Sequence, residues 1–128
     1  MLKQLSIYAE NKKGALQTMT NALYEAGINI WGSVTNDGAE YGINRMVVSD
    51  PDKAKEVLTE KGYLCRFVDV LAVEIEDKPG ALNTLLTALL DSNVNVDYTY
   101  LSFNRDSSTP VMILHTADPE EVEICLRA

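Results

Sequence analysis

Two stretches of this 128-residue chain are near copies of each other. Glu10-Asn11-Lys12-Lys13-Gly14-Ala15-Leu16 returns as Glu76-Asp77-Lys78-Pro79-Gly80-Ala81-Leu82, 66 residues further on. At the same offset Ala22-Leu23 falls on Ala88-Leu89, and Ile28-Asn29-Ile30 falls on Val94-Asn95-Val96. An internal repeat constrains the fold more than any local signal, because each copy has to build the same supersecondary unit. A lone unit of about 60 residues buries only about 60% of the surface its unfolded chain exposes, so the two copies are expected to lean on each other. The best-matched stretch is a polar, glycine-bearing loop, and loops carry function more often than packing.

The elements around the loop follow from hydrophobic period. Leu5, Ile7 and Ala9 alternate with Gln4, Ser6 and Tyr8, the pattern of a strand with one buried face. Leu71, Val73 and Ile75 repeat that pattern in the second copy. After each loop the apolar residues switch to helical spacing, with Leu16, Met19, Leu23 and Ala26 on one face and Leu82, Leu85, Leu86 and Leu89 in the repeat. Gly27 and Asn93 stand where a left-handed residue ends a helix.

Extended segments follow over 28–35 and 94–103. Turn signals come next, Asn36-Asp37-Gly38 in the first copy and residues 104–108 in the second, then third strands over 43–48 and 111–115. Asp50-Pro51 and Asp118-Pro119 read as helix starts, and Glu121 completes a capping box with Asp118. The first copy has a further strand over 63–68, so its order is strand, helix, strand, strand, helix, strand, the split βαβ or ferredoxin-like arrangement. The second copy stops after its second helix, without a last strand.

The fold class is therefore α+β, with two tandem ferredoxin-like units, 1–68 and 69–128, the second lacking its last strand. No turn residue interrupts 63–75, which predicts either one shared strand or a strand bent near Asp69. A missing strand leaves a sheet edge, and edges invite pairing between units or between two copies of the chain.

Charge narrows the function. The net charge of −8 and pI of about 4.5 oppose a phosphate backbone or an anionic membrane, and the basic residues form no run. Neither nucleic acid nor membrane is expected as a partner. No apolar run approaches the ~20 residues of a membrane helix, and residues 1–4 open a strand pattern rather than a signal peptide. Cys65 and Cys125, far apart, read as buried reduced thiols of a cytoplasmic protein. No nucleophile–base pair, metal-type spacing or phosphate-type glycine loop is present, so neither catalysis nor a cofactor is expected.

The combination of a strand, an Asn/Asp-x-Pro-Gly-Ala-Leu loop, an amphipathic helix and a Gly-Ile-Asn-Ile-type second strand resembles the ACT domain, here twice over. That resemblance implies a regulatory module that binds a free amino acid, in a pocket between the loop of one module and the second strand of its neighbour. The positions it marks are Asn11, Lys12, Lys13, Gly14, Ala15 and Leu16 in the first loop and Asp77, Lys78, Pro79, Gly80, Ala81 and Leu82 in the second. Asn29 and Asn95 match the second-strand asparagine, each 18 residues beyond Asn11 or Asp77.

The loop has a chemical logic of its own. A helix start offers unpaired N–H groups and a positive dipole end to a carboxylate. Glycine leaves that backbone open to approach. Asn11 or Asp77 can accept from an ammonium group. The same residues also suit a plain structural reading, with Asn11 and Asp77 as helix caps worth roughly 1 kcal/mol and the glycines serving close helix–sheet packing.

Lys13 stands where the family usually has proline, so the two sites are expected to differ in affinity. If one site alone is competent, the second loop, with Asp77 and Pro79, is the better candidate. Trp31 lies on the strand face opposite Ile28 and Ile30, suited to cover a ligand at the seam between units. Tyr98 and Tyr100 suit packing, Arg45 either a ligand carboxylate or an acid across the sheet, and His115 a structural or solvent-facing place. The alternative to a sensor is a protein–protein or homodimerisation module without a ligand.

Overall fold

The computed structural model describes residues 1–10, 12–36, 41–103 and 109–127. Ten elements follow in order: β1 (Leu2–Glu10), α1 (Ala15–Glu25), β2 (Ile30–Asn36), β3 (Tyr41–Val48), α2 (Pro51–Glu60), β4 (Leu64–Glu74), α3 (Ala81–Asp91), β5 (Val96–Ser102), β6 (Val111–Thr116) and α4 (Pro119–Arg127). They gather into two compact units, Lys3–Val68 and Asp69–Ala128, the latter joined by Met1–Leu2. The strand β4 runs unbroken through the boundary, so of the two sequence expectations the continuous strand is the one formed. The turn expected at Asp37-Gly38 and the loop at residues 104–108 lie outside the described residues.

In the first unit β1 pairs antiparallel with β3 (Leu5↔Met46, Ile7↔Asn44), and β3 pairs with β2 (Ser33↔Met46, Thr35↔Asn44). Met19, Leu23, Ala54 and Leu58 from the two helices pack on Leu5, Ile7, Met46 and Val48 of the sheet. The α1 stripe behaves as its spacing requires, except that Leu16 is half-exposed. It sits in the first turn, ahead of the residues that reach the sheet. β1 differs more from expectation: Gln4 and Ser6 are buried along with Leu5 and Ile7, so both faces of its centre are covered. The two polar side chains meet the cost of burial together, Gln4 Nε2 donating to Ser6 Oγ at 3.2 Å.

The second unit repeats the plan. β4 pairs with β6 (Leu71↔Leu114, Val73↔Met112), and β5 pairs with β6 (Thr99↔Leu114, Leu101↔Met112). Leu71, Leu89, Leu114 and Val122 form its core, with Leu85, Leu86 and Val94 packed around them. Even the irregularities match: the register shifts between Ile30 and Gly32 in one unit and between Val96 and Tyr98 in the other.

Helix ends follow local chemistry. Gly27 (φ 74°) and Asn93 (φ 59°) take the left-handed conformation that closes α1 and α3. Asp50 caps α2, its Oδ1 accepting from the Lys53 N–H at 3.2 Å with Pro51 in the first turn. Of the two cysteines expected to be buried, only Cys65 is; Cys125 lies on the exposed side of the short helix α4, and both are free thiols.

Candidate functional site

The two loops fold alike despite Lys13 in one and Pro79 in the other. In the first, the Lys12 N–H donates to the Glu10 carbonyl (3.1 Å) and the Ala15 N–H to the Lys12 carbonyl (3.1 Å). In the second, the Lys78 N–H donates to the Glu76 carbonyl (3.0 Å) and the Ala81 N–H to the Lys78 carbonyl (3.3 Å). Gly14 has φ 84° and ψ −3°, and Gly80 has φ 87° and ψ −8°. The Thr18 and Thr84 hydroxyls each donate to the preceding glycine carbonyl at 3.0 Å. Lys12 pairs with Glu10 (3.2 Å) and Lys78 with Glu76 (2.8 Å), all four side chains being largely exposed.

These details bear on the structural reading of the loop. Each glycine occupies the helix N-cap position, and no side chain makes a capping hydrogen bond there, so Asp77 does not cap α3. Asn11 lies outside the described residues. A Cβ built on Gly14 or Gly80 would meet nothing within 4 Å, so close helix–sheet packing is not what these glycines serve. The backbone requires them, since a φ near +85° is strained for any residue with a Cβ. The space above them is open. The Ala15 and Ala81 N–H groups are taken by the Lys12 and Lys78 carbonyls, so the first-turn donors left without an intrahelical acceptor at the positive end of the dipole are those of Leu16 and Gln17 and of Leu82 and Asn83.

Beside the first loop lies a cleft of about 480 Å³, lined by Glu10, Lys12, Gly14, Ala15, Leu16, Gln17, Thr35 and Asn44 among others. Its floor is the helix-side face of the sheet. Asn44, only 4% exposed, donates through Nδ2 to Ser33 Oγ (3.0 Å) and Thr35 Oγ1 (2.7 Å). Sequence reasoning missed Thr35 and Asn44. The signal was an amide in a strand otherwise rich in Ile43, Met46, Val47 and Val48, but the nearby charge of Arg45 drew the notice instead. Arg45 Nη1 donates to Asn36 Oδ1 at 3.2 Å.

Asn29 sits elsewhere in the same unit. It lies past the far end of the eleven-residue α1, a span of about 16 Å at 1.5 Å per residue. There it lines a shallow cleft of about 380 Å³ with Asn21 and Tyr24. Its main chain is held by Ser49, which accepts the Asn29 N–H at 3.0 Å and donates to the Asn29 carbonyl at 2.9 Å. Loop and second-strand asparagine are therefore not brought together within one unit. Asn95 is likewise exposed, its Nδ2 donating to Asp97 Oδ1 at 3.2 Å. Trp31 is half-buried at the register shift of β2.

His115 has a fuller setting than expected, its Nδ1 2.8 Å from Asp97 Oδ2 and its ring stacked on Tyr98 at 4.9 Å. Tyr100 is buried, in keeping with a packing role. Among the described residues no group of three or more His, Cys, Asp or Glu side chains is placed to hold a metal ion. No helix of the described residues is long and apolar enough to cross a membrane.

Comparison with known proteins agrees with this architecture. No curated protein matches the chain in sequence. Among solved structures, protein BT0572 from Bacteroides thetaiotaomicron is similar at 31% identity and a TM-score of 0.89, covering 98% of this chain and 86% of its own. The regulatory subunit of aspartate kinase from Thermus thermophilus, in its ligand-free form, shares the fold at 16% identity and a TM-score of 0.71, covering 98% and 87%. The aspartokinase alpha and beta subunits share it at 17% identity and a TM-score of 0.62, covering 96% and 89%. The ACT domain pair, a regulatory type of module, matches residues 1–126. With the duplicated loop–helix units and this match over almost the whole sequence, the chain belongs to the ACT domain family as a tandem pair.

Proposed function

We propose that this chain is a non-catalytic sensor that binds a free amino acid where ACT modules meet, with domains at 1–68 and 69–128. The first-turn amides beyond Gly14 or Gly80 hold the ligand carboxylate. The ammonium group is accepted by Asn11 in the first site and Asp77 in the second, with Asn29 or Asn95 contributed by a neighbouring module and Trp31 covering the seam. The remaining loop positions, Lys12, Lys13, Ala15 and Leu16 with Lys78, Pro79, Ala81 and Leu82, frame the two sites.

The observation that carries the reading is the open space over each glycine, in two loops of the same conformation built from different sequences. A metabolite-range dissociation constant of ~1 μM to 1 mM needs only about 4–8 kcal/mol, within reach of a few charge-assisted hydrogen bonds. Ligand that bridges two modules then biases assembly or partner docking by its difference in affinity for the paired and unpaired states. A thermal-shift screen of the free amino acids tests this. Ligand well above ~1 mM should raise the melting temperature, and a flat result across the set removes the sensor reading.

One observation favours the alternative, an interaction or homodimerisation module without ligand. Tyr24 on α1 and Leu90 on α3 occupy equivalent positions and are 80% and 74% exposed. Large apolar side chains on matching turns of both helices suit a protein partner.

A further inference from the structure

The cross-strand pair that lines the first cleft is polar, and its counterpart in the second unit is apolar. β2 and β3 set Thr35 opposite Asn44, and β5 and β6 set Leu101 opposite Met112. The positions correspond through the register on either side. The pair below is Ser33↔Met46 in one unit and Thr99↔Leu114 in the other, and both hairpins carry their register shift at the same place. We propose that this pair sets side-chain specificity. The first loop takes an amino acid with a hydroxyl or carboxamide side chain, and the second takes an aliphatic one. The inference rests on the reading of the loops as ligand sites, and adds what each of them selects.

The first floor is polar and arranged in one direction. Asn44 is 4% exposed and uses Nδ2 to donate to both Ser33 Oγ and Thr35 Oγ1. Because the Thr35 oxygen accepts from Asn44, the hydroxyl hydrogen is left to donate to what enters the cleft. A ligand hydroxyl or carboxamide oxygen meets that donor. An aliphatic side chain would strip water from it and give nothing back.

In the second unit Met112 is 4% exposed and Leu101 is 61% exposed, and neither offers a hydrogen bond comparable to a hydroxyl or amide. There the preference reverses, because a polar ligand side chain would be desolvated without a partner while an aliphatic one gains apolar contact.

Amide-resolved NMR titration of the unaltered protein with L-serine, L-asparagine, L-valine and L-leucine reads both loops at once. The Gly14, Leu16 and Gln17 signals report the first and the Gly80, Leu82 and Asn83 signals the second. The expected result is about a tenfold lower dissociation constant for serine or asparagine than for valine or leucine at the first loop. The opposite order is expected at the second. The double variant Thr35→Leu with Asn44→Met should turn the first loop's order toward that of the second. The same order of affinities at both loops in the unaltered protein overturns the specificity assignment and leaves amino-acid binding intact. Movement of neither set of signals with any free amino acid overturns the sensor reading itself.

Discussion

Replacing Gly80 by alanine separates the backbone requirement of the loop from its ligand role. With φ at +87°, alanine meets the penalty of the left-handed region, about 1–2 kcal/mol. Alanine also loses less entropy on folding than glycine, which returns about 0.4–1 kcal/mol. No clash adds to this, because a Cβ at Gly80 has nothing within 4 Å. The net loss is then about 1 kcal/mol, or a fall of about 3–5 °C in melting temperature for a chain of this size. Gly80→Asn should cost less, since asparagine tolerates the left-handed region better.

Bulkier residues extend into the same open space. Gly80→Val and Gly80→Phe should therefore add backbone strain to the loss in stability but no overpacking, while binding at this loop falls at least tenfold. Chemical denaturation of the free protein and calorimetric titration with the amino acid found by screening read the two effects separately. A loss beyond about 3 kcal/mol for the alanine variant, the scale of overpacking, would mean that the glycine faces packed atoms. Undiminished binding in the bulky variants of both Gly14 and Gly80 would show that the loops are not the sites.

Met19, fully buried between α1 and the first sheet, should cost about 2–5 kcal/mol when cut to alanine, measured by urea denaturation; a loss below 1 kcal/mol would contradict its place in the core. Burial holds the Cys65 thiol above its ordinary pKa, against the opposing pull of Lys55 and a hydrogen bond from Thr59. Since the thiolate is the reactive form, iodoacetamide at neutral pH should label the exposed Cys125 first, and mass spectrometry showing Cys65 modified equally fast would refute this. The chain is expected to form a homodimer, and light scattering that finds only a monomer at high concentration counts against it.

Much of the fold was legible because the repeat supplied two readings of each element. Where one copy was ambiguous the other decided it: Asn93 at a helix end is a weak signal alone, but it stands at the place of Gly27, and both adopt positive φ. A run without Gly, Pro or Asn left either a shared strand or a bend near Asp69 open at the unit boundary, and the strand formed there is unbroken. Period alone failed where burial was two-sided. Gln4 and Ser6 looked like the wet face of β1 because alternation marks polar from apolar, and does not say what lies over the polar side. Leu16 and Leu82 carry the helical spacing of core residues but sit one turn before the helix reaches the sheet, which leaves them near the loops.

The site was legible only where it is continuous in sequence. Each loop is a single stretch whose glycine, first-turn amides and flanking lysine can be read in order. Its floor is not. Thr35 and Asn44 are nine residues apart and meet only because a hairpin sets them opposite each other, after a register shift that changes which residues face the helix. A shift of one residue turns every side chain of a strand to the other face, so the pair could not be assigned to the cleft before the register was known. Once it is known, the two units stop being equivalent. The part of the repeat that matched best, the loop, has the same backbone in both copies, so on the proposed reading it offers one carboxylate site twice. The part that matched less well, a threonine and an asparagine against a leucine and a methionine, is where the copies present different chemistry to the rest of a ligand. A duplication that keeps its backbone contacts and varies its floor can hold two amino acids that share a main chain and differ in side chain.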